Sequence, residues 1–245
     1  MAELEVAKHG KNVIHLMTKK EHGLAHRVRE IAVEIAIIVF AVSMSIWLHG
    51  LSEHHHKQQE VRSFLLGLKN DLAADATQLG KMSEGYKGFD ANHAYLAGLD
   101  PAKQPDWDKF KAAYALSNAN WYFIPTRSRY DGFLMSGRLA NIEDDKLLTA
   151  ILNLYQSKLP EIQTSEGGWS TRQHKLRDYR ESQLEGDDDA SLFRVTTTPK
   201  GKRLLREMNT SPQLYERYQN YVDRSRQIIR MIDEAYPDQT EAKGH

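Results

Sequence analysis

The sequence predicts an all-α chain in which one N-terminal transmembrane helix continues into a long stalk helix and then a helical bundle. Three observations predict it. Residues 31–48 read IAVEIAIIVFAVSMSIWL, apolar apart from Glu34 and two serines. Beyond them, apolar residues recur at steps of three and four. No run of strand alternation bounded by turn residues occurs anywhere.

The apolar stretch comes first. At about 1.5 Å per helical residue it spans roughly 27 Å, close to the hydrocarbon thickness of a bilayer, so residues 29–50 are assigned to a membrane span. An amphipathic helix of a soluble domain would show a polar face every three or four residues, and residues 35–42 show none. Ala41-Val42-Ser43 has the small-x-small form of a signal-peptide cleavage site, but it lies inside the apolar run, after a long lead and downstream of a glutamate. An uncleaved anchor is expected. Lys8, Lys11, Lys19, Lys20, Arg27 and Arg29 precede the span, against Lys57, Arg62 and Lys69 after it, which places the N-terminus in the cytoplasm. In a bacterial host this is the inner membrane, with the rest of the chain in the periplasm. Residues 1–28 form the cytoplasmic segment, and Val13, Ile14, Leu16 and Met17 among basic neighbours suit an interfacial helix.

Glu34 is the exception inside the span, with Glu30 one turn earlier on the same face. Near the inner boundary a carboxylate can reach the headgroups or take up a proton. The sharper expectation is that copies pack together and Glu34 faces a neighbouring helix. Ala32 and Ala36, then Ala41 and Ser45, supply small residues at spacing four for close approach, with Ser43 beside them.

After the span, Trp47, Leu51, His54, Gln58, Val61, Leu65, Leu68 and Leu72 form a seam at alternating steps of four and three. It predicts one helix leaving the bilayer and continuing as a stalk over residues 51–85. His49, Glu53, His56 and Glu60 share one side of it. Imidazole and carboxylate one turn apart can bind zinc or sense protons, and a solvated His-rich stalk fits equally.

Residues 86–245 are expected to form the extracytoplasmic helical domain, a bundle of four to six helices. Trp107, Phe110 and Tyr114 suggest a helix after Pro105. Thr126 is a candidate cap for a short helix through residues 130–139, ended near Gly137. Glu143, Asp144 and Asp145 open the next, with Pro160 after its end. Glu166-Gly167-Gly168 and Glu185-Gly186-Asp187-Asp188-Asp189 read as connections flanking a candidate helix over 169–184. Asp187, Asp188 and Asp189 lack the spacing of a calcium loop. Ser211-Pro212 starts a final helix with Leu214, Tyr218, Tyr221, Val222, Ile228, Ile229 and Ile232 on its inner face. At Ser136-Gly137 a glycine with positive φ would let the chain turn and bury Leu139 and Ile142.

Function is constrained mainly by what is missing. Lys plus Arg and Asp plus Glu are both 33, so no global field favours nucleic acid as a partner. With no cysteine, disulfides, cysteine nucleophiles and thiolate metal sites are excluded. No nucleophile elbow, phosphate-cradling loop, H-E-x-x-H or dinucleotide fingerprint occurs. No catalytic residue and no cofactor are assigned.

Two blocks carry a resemblance. EIAVEIAIIVFAVSMSIWLHGLSEHHHKQQEVRSFLLGLKNDLAADATQL, residues 30–79, and YDGFLMSGRLANIEDDKLLTAILNLYQ, residues 130–156, resemble an uncharacterised group of bacterial single-span membrane proteins. In that group a glutamate-led apolar helix ends in tryptophan, and a serine-glycine turn precedes a helix ending in tyrosine. The chain departs from it where AVSMSIWLHG, residues 41–50, replaces a glycine-rich stretch with paired asparagines. The resemblance implies architecture and membrane location, not activity.

The expectation is therefore a membrane-anchored interaction, scaffold or sensory module. Its partners would be the lipid bilayer, further copies of itself and an unidentified membrane or periplasmic protein. An ion-conducting or membrane-disrupting assembly lined by Glu34, Ser43 and Ser45 is the first alternative. A metal-dependent hydrolase using the juxtamembrane histidines is the second.

Overall fold

Helix α1, Leu24–Gly98, carries the apolar stretch and continues without a break for 75 residues. It belongs to a computed structural model that describes residues 24–186 and 188–237. Seven more helices follow among the described residues: α2 Trp107–Leu116, α3 Ser128–Met135, α4 Asp145–Asn153, α5 Leu159–Gln183, α6 Asp189–Thr197, α7 Pro199–Glu207 and α8 Pro212–Ala235. A 3-10 turn, Arg138–Asn141, precedes α4, and a π turn, Leu154–Lys158, joins α4 to α5. No strand occurs among the described residues, so the chain is all-α as expected. The proposed interfacial helix within 1–28 lies largely outside the described residues, as does Asp187.

The chain divides into two units, Met1–Gln59 and Glu60–His245. In the first, the described part of α1 is long and apolar enough to cross a membrane, and its most apolar window has no residue buried. Ile37, Phe40, Ile46 and Trp47 are each more than 60% exposed.

In the second unit the rest of α1 is a core element. Val61, Leu65, Leu68, Leu72, Leu79, Met82, Tyr86, Phe89 and Leu96 are buried, at the three-and-four spacing that puts one stripe inward. The seam read as a stalk thus has two fates. Trp47 and Leu51 are exposed, whereas Val61 to Leu72 are covered by the chain's own bundle. Trp169 of α5 packs edge-on against Tyr86, with ring centroids 5.3 Å apart. Phe64 stacks on Phe133 of α3 at 4.0 Å. Ile228 and Ile232 of α8 join the same core.

Helix starts follow local chemistry. Asp106, Asp144, Asp188 and Thr198 cap α2, α4, α6 and α7, their side-chain oxygens accepting first-turn N–H groups. Three sequence readings change. Thr126 does not cap α3, which has no side-chain cap; its own N–H is bound by Asp75 instead. Pro160 does not end a helix. The wide π turn before it shifts the backbone register, and the proline sits in the first turn of α5, where its missing N–H costs nothing. Glu166-Gly167-Gly168 is not a connection but lies inside α5, where the burial of Glu166 and Trp169 outweighs about 1 kcal/mol of propensity lost at each glycine.

Candidate functional site

The sequence-predicted residues fall on two separate stretches. Glu30, Ala32, Glu34, Ala36, Ser43 and Ser45 all lie on α1 in the first unit, with Glu34 half-buried and the others exposed. His49, Glu53 and His56 follow on the same helix and are exposed. Glu53 pairs with Lys57 at 2.7 Å, and that hydrogen bond holds its carboxyl below the usual range. Glu60, in the second unit, approaches Arg138 at 3.5 Å. Among the described residues no group of three or more histidines and carboxylates could hold a metal ion. At the turn, Gly137 has φ +72°, Ser136 Oγ donates to the Phe133 carbonyl at 2.9 Å, and Leu139 and Ile142 are buried below.

The most constructed feature of the second unit lies elsewhere. Residues 117–127 connect α2 to α3 as a strap: the N–H groups of Ser117, Asn118 and Ala119 close on carbonyls of the last turn of α2, and beyond them no helix or sheet satisfies its backbone, so its polar groups need side-chain partners. Helices α1 and α5 supply them in succession. Arg180 donates to Ser117 Oγ at 2.7 Å and to Asn118 Oδ1 at 3.1 Å. Gln173 donates to the Ala119 carbonyl at 2.5 Å, and Tyr86 to the Trp121 carbonyl at 2.9 Å. The Tyr122 hydroxyl donates to Ser170 Oγ at 2.7 Å. The Phe123 N–H reaches Glu166 at 3.0 Å, and the Thr126 N–H reaches Asp75 at 2.9 Å.

The last two contacts are built on one plan. Each buried carboxylate joins one strap N–H to one tyrosine of α8. Tyr218 donates to Glu166 at 2.5 Å, and Tyr221 to Asp75 at 3.1 Å. The N–H groups are three residues apart and so are the tyrosines, one helical turn. Burial raises both carboxyls above their ordinary range, and the hydrogen bonds only partly offset it. The phenols of Tyr218, Tyr221 and Tyr86 are pushed far up, first by burial. Beside them, burial and then Arg180 lower His93 to about 4, and burial lowers Arg180 itself to about 10. The Arg180 guanidinium lies over the Tyr114 ring at 4.4 Å.

On its solvent side the strap presents Trp121, Tyr122 and Ile124, which are 42%, 44% and 75% exposed. The Trp121 ring meets Phe89 edge-on at 5.3 Å and lies where a side chain at Gly85 would overlap it. Chemically, the buried acid–phenol pairs hold backbone rather than face a cavity. The arrangement fixes a surface that displays aromatic rings.

Sequence reasoning missed Asp75, Tyr86, Glu166 and Arg180. A signal existed for Asp75. The seam extended past Leu72 by three and then four residues lands on Asp75 and Leu79, so a carboxylate occupies a core register and requires partners. Glu166 had no comparable signal, since the neighbouring glycines read as a loop.

Residues 31–166 match a family of unknown function, DUF6090. The chain belongs to this family. The family match takes in the apolar stretch of α1, Asp75, the strap and Glu166, and stops before Tyr218 and Tyr221. The membership agrees with the resemblance to an uncharacterised family and assigns no activity. No curated protein and no solved structure matches the chain.

Proposed function

We propose that the chain is a single-pass membrane protein whose outer unit is an interaction, scaffold or sensory module rather than a catalyst. One observation carries the reading. Along residues 33–51 of α1 the large apolar side chains are exposed, whereas further along the same helix they form a protein core. A contiguous apolar surface of that length matches a bilayer. The flanking charges favour a cytoplasmic N-terminus and, in a bacterial inner membrane, a periplasmic bundle. The rigid strap with its solvent-facing aromatics supports recognition of a further protein, since such anchors lose little conformational freedom on binding.

Self-association through the span belongs to the same proposal. Ala32, Ala36 and Ser45 permit close helix approach, and Glu34 needs a polar surrounding. A Glu34→Leu variant is expected to lose the crosslinked oligomer in membranes; an unchanged oligomer removes this part.

The absence of cysteine makes topology directly measurable. Single cysteines at Lys8 and Gln58 are labelled in intact cells with a membrane-impermeant maleimide. The expected result is reaction at position 58 and protection at position 8. Equal labelling, or release of the chain by alkaline carbonate, overturns the membrane reading.

A further inference from the structure

Helix α5 and the first turn of α8 enclose a cleft of about 290 Å³ that none of the preceding reading uses. Thr164, Ser165, Trp169 and Arg172 line it from α5, Ser211 and Arg217 from the α8 side. Ser165, Trp169 and Arg172 are four and three residues apart, one stripe of α5. Two guanidinium cations therefore share one wall system, and among the described residues that line it there is no carboxylate.

The donors are under-used. Arg217 donates to the Glu161 carbonyl at 2.7 Å and to Ser165 Oγ at 2.6 Å, both uncharged acceptors. Among the described residues Arg172 makes no hydrogen bond or ion pair, and its buried Nε–H has no acceptor. Trp169 is 1% exposed, and its indole N–H also has none. Buried donors without acceptors are uncommon and costly. Ser211 stands at the N-cap of α8, yet no side chain caps that helix. The partial positive charge of a first helical turn thus adds to the two cations; Pro212 has no N–H there, and the Leu214 N–H is taken by the Ser211 carbonyl at 2.9 Å.

From this constellation we infer that the cleft is a binding site for a phosphoryl oxyanion. Arginine forks engage two oxygens at a time. Hydroxyls from Ser165 and Ser211 and the indole N–H offer further donors from other directions, which suits a tetrahedral anion better than a planar carboxylate. The volume is at the small end for ligand sites, so the ligand is a phosphate group with a small organic portion, not a nucleotide. The same chemistry is found in a soluble phosphate ester and in a lipid headgroup. The inference concerns the second unit alone and stands independently of whether α1 crosses a membrane.

The test uses the full chain in detergent micelles, with thermal unfolding followed in inorganic phosphate and in chloride at equal ionic strength. Glycerol 3-phosphate forms a second arm, and vesicles with or without phosphatidic acid a third. Saturating ligand is expected to raise the midpoint on the order of 5 °C over the matched control. Arg172→Gln, which removes no hydrogen bond or ion pair among the described residues, is expected to retain the wild-type midpoint in chloride and lose the response. As a second readout, phosphorus NMR of the bound probe broadens with wild type and stays sharp with R172Q. A response to glycerol 3-phosphate in detergent assigns a soluble ester; a response confined to phosphatidic acid vesicles assigns a lipid headgroup; both support the site. No response to any of the three probes, or a response that R172Q retains in full, overturns it.

Discussion

Both halves of α1 carry large apolar side chains, and these end in opposite surroundings. Ile37, Phe40 and Ile46 are exposed, whereas Leu65, Leu68 and Leu72 are at most 1% exposed. Composition separates them, with one charged residue, Glu34, in residues 31–48 against eight in residues 61–97, and so does which faces are apolar. Residues 35–42 are apolar all round, which no single protein neighbour can cover. Residues 61–97 carry one apolar stripe, which one bundle can. The difference teaches that one helix can carry two kinds of apolar surface, one exposed and one covered by the chain's own bundle; on the proposed reading the first faces lipid.

The same substitution made in each half breaks this comparison most severely. Leu68→Asp puts an unpaired charge into the core and is expected to destabilise the outer unit by about 5 kcal/mol, enough to prevent folding. Ile38→Asp is expected to leave the thermal midpoint of the outer unit unchanged and to weaken retention in the membrane fraction. Calorimetry and fractionation of both variants provide the check.

A second prediction concerns the strap. Glu166→Ala strands the Phe123 N–H and the Tyr218 hydroxyl, at a cost of about 3 kcal/mol. Glu166→Gln keeps an acceptor for one and a donor for the other, and is expected to cost less than about 1 kcal/mol. Urea unfolding followed by tryptophan fluorescence separates the two. Neither variant should alter membrane retention.

A third effect lies in the pH profile. Asp75 and Glu166 are raised on folding from 3.8 and 4.5, so the folded chain binds the extra protons. Their contribution is full below those unfolded values and is lost as pH rises through the folded ones. His93 is lowered from 6.5 to about 4, so its contribution is full above 6.5 and is lost as pH falls through 4. The double variant D75N/E166Q should therefore remove the loss on raising pH, and His93→Gln the loss on the acid side. Urea midpoints measured across this range give the answer.

The smallest change is at the turn. Gly137→Ala forces a side chain into φ +72° with open space around it, and is expected to cost about 1 kcal/mol. The outer unit's melting temperature should fall by a few degrees.

How much of this was legible in the sequence depended on whether a signal was local. The apolar stretch, the acidic start of α4, Ser211-Pro212 and the Gly137 turn each announce themselves within a few residues. Gly167-Gly168 misled because local propensity was overruled by packing around Glu166 and Trp169, and Pro160 because a π turn accommodates it. The strap was invisible for another reason. Asp75 and Tyr221 are 146 positions apart in sequence, and pairing at that separation leaves no periodic trace. Only the carboxylate in a core register at Asp75 hinted at it. The cleft at Arg172 and Arg217 was equally hidden, as it joins residues of two helices that share no motif.

The proposed change of solvent along α1 can be tested residue by residue. Nitroxide labels placed singly from position 33 to position 58 in the full chain, reconstituted in vesicles, report their access to oxygen and to a water-soluble nickel chelate. Residues 33–48 should favour oxygen and exclude nickel, with the preference reversing beyond about residue 51. Uniform nickel access across those positions would mean that water surrounds the apolar stretch, and the account of α1 would be wrong.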